Sequence, residues 1–166
     1  MKIEAGFTYT VERVCKRTGE VLDCEVIENL MPELGRNHML NVVLNGVTPV
    51  TQWYVLLYGN DYTPKESDSA ATFPGLAGEL TNYEGSTRIL FDPANAVMGV
   101  VSNEANRAEF SFLGDATVRG GAIVSASGKG ATSGVLLSAA KFAAPKPADS
   151  DTILRIRAGI ELTNAS

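Results

Sequence analysis

The segment that most constrains the fold of this chain is QWYVLLY at residues 52–58, which contains the only tryptophan and two of the five tyrosines. Its last six residues are all apolar or aromatic, and most are types that favour β-strands. The turn sequence Gly-Asn-Asp follows at once. Because an uninterrupted apolar strand is typical of one covered on both faces, we predict a central strand here. The predicted core residues are Trp53, Tyr54, Leu56, Phe91, Phe110 and Phe112.

The length and composition of the chain predict a single domain, 1–166. Of its 166 residues, 45% are hydrophobic and 20% are charged, and a chain of this size buries about 70% of its unfolded surface. We divide the domain into an N-terminal hairpin (1–28), a helical segment (29–46) and a β-sandwich (49–163).

Charge and hydropathy exclude several classes of partner. The net charge of −5 argues against a protein that coats nucleic acid, since phosphate binding needs a basic face. No apolar run approaches the ~18 residues of a membrane span, and the N-terminus lacks the apolar centre of a signal peptide. We therefore expect no nucleic-acid or membrane partner and a protein that is made in the cytoplasm.

Beyond residue 79, short apolar segments alternate with turn sequences. Residues 108–112 and 153–162 alternate apolar and polar side chains, which is typical of a strand with one face on the core. The chain shows no βαβ alternation, so these segments predict a mainly β protein, an antiparallel two-sheet sandwich of the jelly-roll-like type. The predicted strands in this part are 88–91, 97–101, 108–112, 117–125, 133–142 and 153–162.

Two strand-like segments, 7–11 and 21–27, predict an N-terminal hairpin. If Gly19 and Glu20 form a two-residue turn, Cys15 lies directly opposite Cys24 as a possible cross-strand pair. Such a pair is either a disulfide or two reduced thiols, and the lack of a secretion signal favours the reduced form.

Residues 29–46 carry the punctuation of one short helix at about 31–45. Pro32 and Glu33 suit the first turn, and Gly46 stands just past the end. The expected buried stripe consists of Leu34, Met39, Leu40, Val43 and Leu44, while Gly35 within the helix lowers its propensity.

Motifs for catalysis and metal binding are missing from the sequence. It contains no G-x-S-x-G and no H-E-x-x-H, and the only histidine, His38, excludes multi-histidine metal sites. The acidic residues at 61–68 do not follow the spacing of a calcium loop. We predict a protein that is not an enzyme and takes no metal or cofactor. Paired carboxylates of the glycosidase kind stay open as an alternative, because 19 acidic residues offer many pairs.

Two kinds of segment are candidates for contacts with a partner. The polar loop after the central strand is long for a compact domain, and such loops are often used for binding. Basic residues at the hairpin tip and on the last strand either dock an acidic partner or solvate their surface. The candidate contact residues are Asp61, Tyr62, Thr63, Pro64, Lys65, Glu66, Lys16, Arg17, Arg155 and Arg157.

Taken together, four stretches of the chain resemble a group of small virion proteins of tailed bacteriophages. They span most of the chain and are specific as a set, although none of them states a chemistry. The stretches are NLMP at 29–32 with GRNHML at 35–40, WYVLLY at 53–58 with YTP at 62–64, RAEF at 107–110, and GVLLSA at 134–139.

This resemblance implies a capsid decoration (cement) protein, which binds the outside of the shell and bridges neighbouring major capsid subunits. The implied partners are the major capsid protein and further copies of the chain itself, as a dimer or trimer. The implied location is the capsid surface of a virion assembled in the host cytoplasm. A phage tail or appendage component is an alternative, and so is a carbohydrate-binding jelly-roll module.

Overall fold

The computed structural model describes residues 3–164, which form nine β-strands, two α-helices and one short 3-10 helix at Glu104–Asn106. The helices are α1 (Glu33–Leu44) and α2 (Phe73–Ala77). The strands are β1 (Ile3–Cys15), β2 (Val21–Glu28), β3 (Trp53–Tyr58), β4 (Ile89–Phe91), β5 (Val100–Ser102), β6 (Ala108–Ser111), β7 (Ala116–Val124), β8 (Leu136–Ala148) and β9 (Thr152–Asn164).

The strands form two antiparallel sheets. One sheet has five strands in the order β2-β1-β9, with β5 and β6 both paired to the far edge of β9. The other has four strands in the order β4-β3-β7-β8. This sandwich-like arrangement with its N-terminal β1-β2 hairpin confirms the predicted mainly β fold. Within residues 3–164, no helix is long and apolar enough to cross a membrane.

The strand β3 lies between two hydrophobic cores. Val55 and Leu57 face the core between the sheets, whereas Leu56 and Tyr58 face a second core under α2, and all four side chains are fully buried. The second core includes Phe73, whose ring meets Tyr58 edge-on with the ring centroids 5.5 Å apart. The prediction that this strand is covered on both faces is therefore confirmed from Val55 onward.

The predicted core residues differ in how deeply they are buried. Leu56, Phe91, Phe110 and Phe112 are buried. Trp53 and Tyr54 begin β3 at the end of the sandwich, where they are half-buried and pack against the two cores from the edge.

The predicted opposition of the two cysteines is wrong. The β1-β2 connection is a longer loop than a two-residue turn, because Cys15 and Glu20 close it through a backbone N–H to carbonyl bond of 2.8 Å. An irregularity between Arg13 and Val14 then shifts the pairing, so that Cys24 lies opposite Glu12. Both cysteines are free thiols.

The helix α1 confirms the prediction of a helix in this segment, but it is not the only one. Residues 73–77, for which no helix was predicted, form α2 with a proline in its first turn. The proline-containing segment 143–148, which lies beyond the predicted strand 133–142, continues β8. Its prolines are tolerated because proline lacks only the amide donor and keeps its carbonyl for pairing.

Candidate interaction surface

The loop that follows β3 is held in place by a buried carboxylate. Asp68 is only 3% exposed, and it accepts hydrogen bonds from the Tyr62 hydroxyl at 2.7 Å and from the Lys65 amide at 2.8 Å. Burial and the neighbouring Asp68 carboxylate raise the pKa of Tyr62 to about 12. The Tyr62 ring also packs edge-on against Phe73, so this loop covers the second core.

The predicted contact residues of this loop lie on its outer side or tie it to neighbouring elements. Asp61 forms an ion pair of 2.6 Å with Lys141 of β8, which lowers the pKa of the Asp61 carboxyl. The Glu66 carbonyl accepts a hydrogen bond of 3.0 Å from the Glu33 amide at the start of α1. Asp61, Thr63, Lys65 and Glu66 are exposed, whereas Tyr62 and Pro64 are half-buried. A rigid polar edge therefore borders the first turn of α1.

The predicted basic contact residues on β9 are paired within the chain. Arg155 Nε lies 2.9 Å from Glu109 Oε1, and Arg157 Nε lies 2.5 Å from Glu104 Oε2. Arg107 joins the same cluster through Glu104 and Glu12. At the hairpin tip, Lys16 pairs with Glu84 at 3.2 Å and Arg17 is exposed. The outer face of the five-stranded sheet thus carries a network of alternating charges rather than an unpaired basic patch.

One face of α1 packs directly on β8 at a glycine, Gly35. A Cβ atom on Gly35 would lie 2.7 Å from the carbonyl oxygens of both Leu136 and Leu137, so only glycine permits the helix to approach β8 this closely. His38, Met39 and Val42 follow Gly35 at the spacing i+3, i+4 and i+7 and are half-buried. These four residues form the buried face of α1.

The predicted buried stripe of α1 is wrong, because most of its members face the solvent. Leu40, Val43 and Leu44 are 58%, 77% and 73% exposed, and Val47 just after the helix is 43% exposed. The spacing of i, i+3 and i+4 places Leu40, Val43 and Leu44 on one face of the helix. Together with Val47, which follows the end of the helix, we call these residues the α1 stripe. Leu34 is also exposed, at 57%, and only Met39 packs against the core. The position of Gly35 is the sequence signal that could have identified the other face as the buried one.

A mainly apolar cavity of about 290 Å³ opens beside the buried face of α1, at one end of the sandwich. Trp53 forms part of its wall, and the His38 ring meets Trp53 edge-on with the ring centroids 5.9 Å apart. The residues that line the cavity come from α1, from the segment before β3 and from the ends of both sheets. The lining includes Met39, Val50, Trp53, Pro93, Val101 and Ile160. Sequence reasoning missed this cavity because it brings together residues far apart in the chain.

The fold and this surface define the class of the protein as a two-sheet antiparallel β protein with an exposed apolar helix face. No known protein-family model matches the chain, and no curated protein matches it. Among residues 3–164, no group of three or more His, Cys, Asp and Glu side chains is placed to hold a metal ion.

Proposed function

We propose that this protein is a non-enzymatic structural component of a bacteriophage virion, a capsid decoration protein that binds the outside of the shell and bridges neighbouring major capsid subunits. The observation that carries the proposal is the α1 stripe, a row of aliphatic side chains that the fold leaves in solvent. The resemblance of the sequence to small phage virion proteins supports the major capsid protein as the proposed partner.

The α1 stripe is not needed to hold the helix on the protein. The opposite face of α1 already packs on β8 through Gly35 and on the main core through Met39. Leu40, Val43, Leu44 and Val47 therefore remain apolar without contributing to the core. Exposed apolar side chains on one helix face are typical of a binding surface, and an apolar helix face is a recurring way of docking into a groove.

A polar loop contacts α1 at the end opposite the stripe. Glu66 of this loop contacts Glu33 and Arg36 in the first part of the helix. Its neighbours Asp61, Thr63 and Lys65 are also exposed, and Asp68 fixes the loop. Interfaces typically combine an apolar centre with a polar rim. Because the loop is already ordered, binding loses little conformational entropy there.

Many copies on a shell make weak individual contacts effective. A decoration protein binds a repetitive lattice, and linked contacts raise the overall avidity without any new interaction. A rigid two-sheet body with one apolar docking helix suits this requirement, since the stability of the assembled shell then depends on the number of bridges.

The proposal is tested by adding the purified protein to shells of its parent phage that lack it. We expect saturable binding by the wild-type protein and binding about tenfold weaker or worse for Leu44→Lys, which places a charge in the centre of the α1 stripe. The matched control is Leu113→Lys, which makes the same charge change at a residue 68% exposed, compared with 73% for Leu44.

The two variants also test whether the effect is confined to binding. Both positions are exposed, so their unfolding free energies should stay within about 0.5 kcal/mol of wild type. Equal shell binding by the wild-type protein and Leu44→Lys, or no saturable binding by the wild-type protein at any salt concentration, would sink the proposal. Binding to isolated tails instead of shells would favour an appendage component.

A further inference from the structure

A two-residue turn at Val97–Val100 presents an apolar tip in an unusual conformation. The amide and carbonyl groups of Val97 and Val100 exchange two hydrogen bonds of 3.0 Å. Between them, Met98 has φ 52° and Gly99 has φ 81°, which is the signature of a type I′ turn. Among the non-glycine residues of the described part of the chain, Met98 alone has a positive φ.

Methionine is an unfavourable choice for this position on backbone grounds. Type I′ turns prefer asparagine, aspartate or glycine at the first central residue, because their side chains tolerate a positive φ. Met98 is nevertheless 95% exposed, and Val97 beside it is 68% exposed. The side chain contributes almost nothing to its own fold, so a strained and exposed methionine points to a contact outside the chain.

A receptor for such a side chain lies next to the turn. Val101, one residue after it, lines the apolar cavity together with Val50, Trp53, Pro93 and Ile160. At about 290 Å³, the cavity lies at the lower end of the roughly 300–1,000 Å³ that small-molecule sites occupy. Its size and apolar lining suit one or two aliphatic side chains. Met98 does not fill the cavity of its own chain, since it is almost fully exposed.

We propose that two copies of this chain associate about a two-fold axis, with Met98 of each copy inserted into the apolar cavity of the other. Because the tip and the cavity adjoin at the same end of the molecule, one two-fold operation places both pairs in contact at once. Val97, Val100 and Leu162, all at least partly exposed, surround the tip and enlarge the apolar contact. This self-association does not depend on shell binding through the α1 stripe.

The net charge of the protein determines how the proposed dimer should respond to salt. Each copy carries a net charge of −5, so two copies repel each other. The proposed contact is apolar and gains nothing from salt-sensitive ion pairs. Association should therefore strengthen as the salt concentration rises and screens the repulsion.

The experiment is sedimentation velocity of the whole protein over a range of concentrations, with Met98→Asn as the decisive variant. The Asn-Gly pair is favoured in a type I′ turn, so this change keeps or improves the fold while removing the apolar tip. We expect the wild-type protein to form dimers, Met98→Asn to remain monomeric, and the matched apolar variant Met98→Leu to keep most of the association.

The cavity side gives an independent test with a spectroscopic readout. Val50→Asp places a charge in the cavity wall and should also abolish the dimer, whereas Leu44→Lys in the α1 stripe should leave it intact. Trp53 is the only tryptophan and lines the cavity, so its emission should shift to shorter wavelength as wild-type dimers form and not for Met98→Asn. A wild-type protein that is monomeric at all concentrations, or a Met98→Asn variant that associates as the wild type does, would overturn the inference.

Discussion

The side chain of Arg88 illustrates how much a single buried residue organises in this protein. It is 2% exposed, and its guanidinium forms a two-pronged ion pair with Glu79 at 2.8 and 2.6 Å. It also donates to the carbonyls of Ala126 and Ala131, each at 2.9 Å. Glu79 in turn accepts the Gly130 amide at 3.1 Å. One arginine thus joins the segment before β4 to the loop between β7 and β8.

Removing this arginine should destabilise the fold strongly. Arg88→Met leaves the Glu79 carboxylate buried without its partner, which typically reduces the free energy of unfolding by about 3–5 kcal/mol. The measurement is urea unfolding, and the control is Lys16→Met, which breaks an exposed pair with Glu84 and should change stability by less than about 1 kcal/mol.

The double variant Arg88→Met with Glu79→Gln separates the two causes. Part of the loss should be recovered, because the uncompensated charge is gone. An Arg88→Met variant as stable as Lys16→Met would contradict the role given to this ion pair.

Asn103 is a second residue whose role depends on the tertiary structure. It is fully buried between β5 and β6, where the edge of β9 that faces these two strands is unpaired at Arg157 and Ala158. Its side chain accepts the Ala158 amide at 2.7 Å and donates to the Ile156 carbonyl at 3.2 Å. The amide group of one side chain therefore replaces the missing piece of backbone pairing.

The helix α1 depends on the absence of a side chain where it packs on β8. In an exposed helix, Gly→Ala stabilises by about 1 kcal/mol through helix propensity. At Gly35 the added Cβ would lie 2.7 Å from two backbone carbonyl oxygens of β8. Backbone atoms cannot yield as a flexible side chain does, so the helix or the strand has to shift.

Gly35→Ala should consequently destabilise the protein by about 1–3 kcal/mol in thermal or urea unfolding. The control is Asn37→Ala on an exposed position of the same helix, which should be neutral or slightly stabilising because alanine favours helix. Stabilisation by Gly35→Ala to the same extent as by Asn37→Ala would show that α1 does not pack on β8 in this way.

The hairpin strand β2 is fixed to the second sheet by one lysine. Lys146 of β8 lies 2.9 Å from a Glu25 oxygen and 3.2 Å from an Asp23 oxygen. Burial opposes ionisation of Asp23, but the hydrogen bonds from Arg13 and Lys146 prevail and lower its pKa. The free side of the hairpin is thereby held against β8, which closes this side of the sandwich.

At the scale of the whole molecule, tyrosine burial determines how stability responds to high pH. Burial raises the pKa of Tyr9, Tyr58 and Tyr83 above the ordinary value of about 10, and that of Tyr62 to about 12. Above pH ~10 the unfolded chain releases these phenolic protons while the folded chain retains them. Unfolding is then favoured, so the stability present below this pH is lost as the pH rises.

We therefore expect the free energy of unfolding to decrease above pH ~10, with the fully buried Tyr9, Tyr58 and Tyr83 each contributing up to about 1.4 kcal/mol per pH unit and the half-buried Tyr62 less. Urea unfolding at neutral pH and above pH ~10 measures this, with phenolate absorbance as the second probe. Tyr62→Phe removes one of the four groups and should flatten the decline. If the stability of the wild-type protein is constant from neutral pH to about pH 12, the burial of these phenols is not as described.

The sequence by itself determined the class of the fold and the position of its central strand. Period-two alternation predicted strands at 108–112 and 153–162, and the unbroken apolar run predicted the strand at 53–58. These are local signals, and all three strands are present. The strand predicted at 97–101 is present only from Val100 onward, because Val97–Val100 forms a turn. The boundaries of α1 followed equally from Pro32 and Gly46, since helix ends are set by neighbouring residues.

Only the tertiary structure decided which face of α1 is buried, how the hairpin is registered and what Arg88 and Trp53 contact. The helix has two apolar faces of similar spacing, and the close approach of β8 at Gly35 selects between them. The loop after Cys15 places this residue opposite Glu20 instead of Cys24, and a buried arginine needs a carboxylate from elsewhere in the chain. These outcomes depend on contacts between distant segments, which no local pattern encodes, and they leave the α1 stripe and Met98 exposed to solvent.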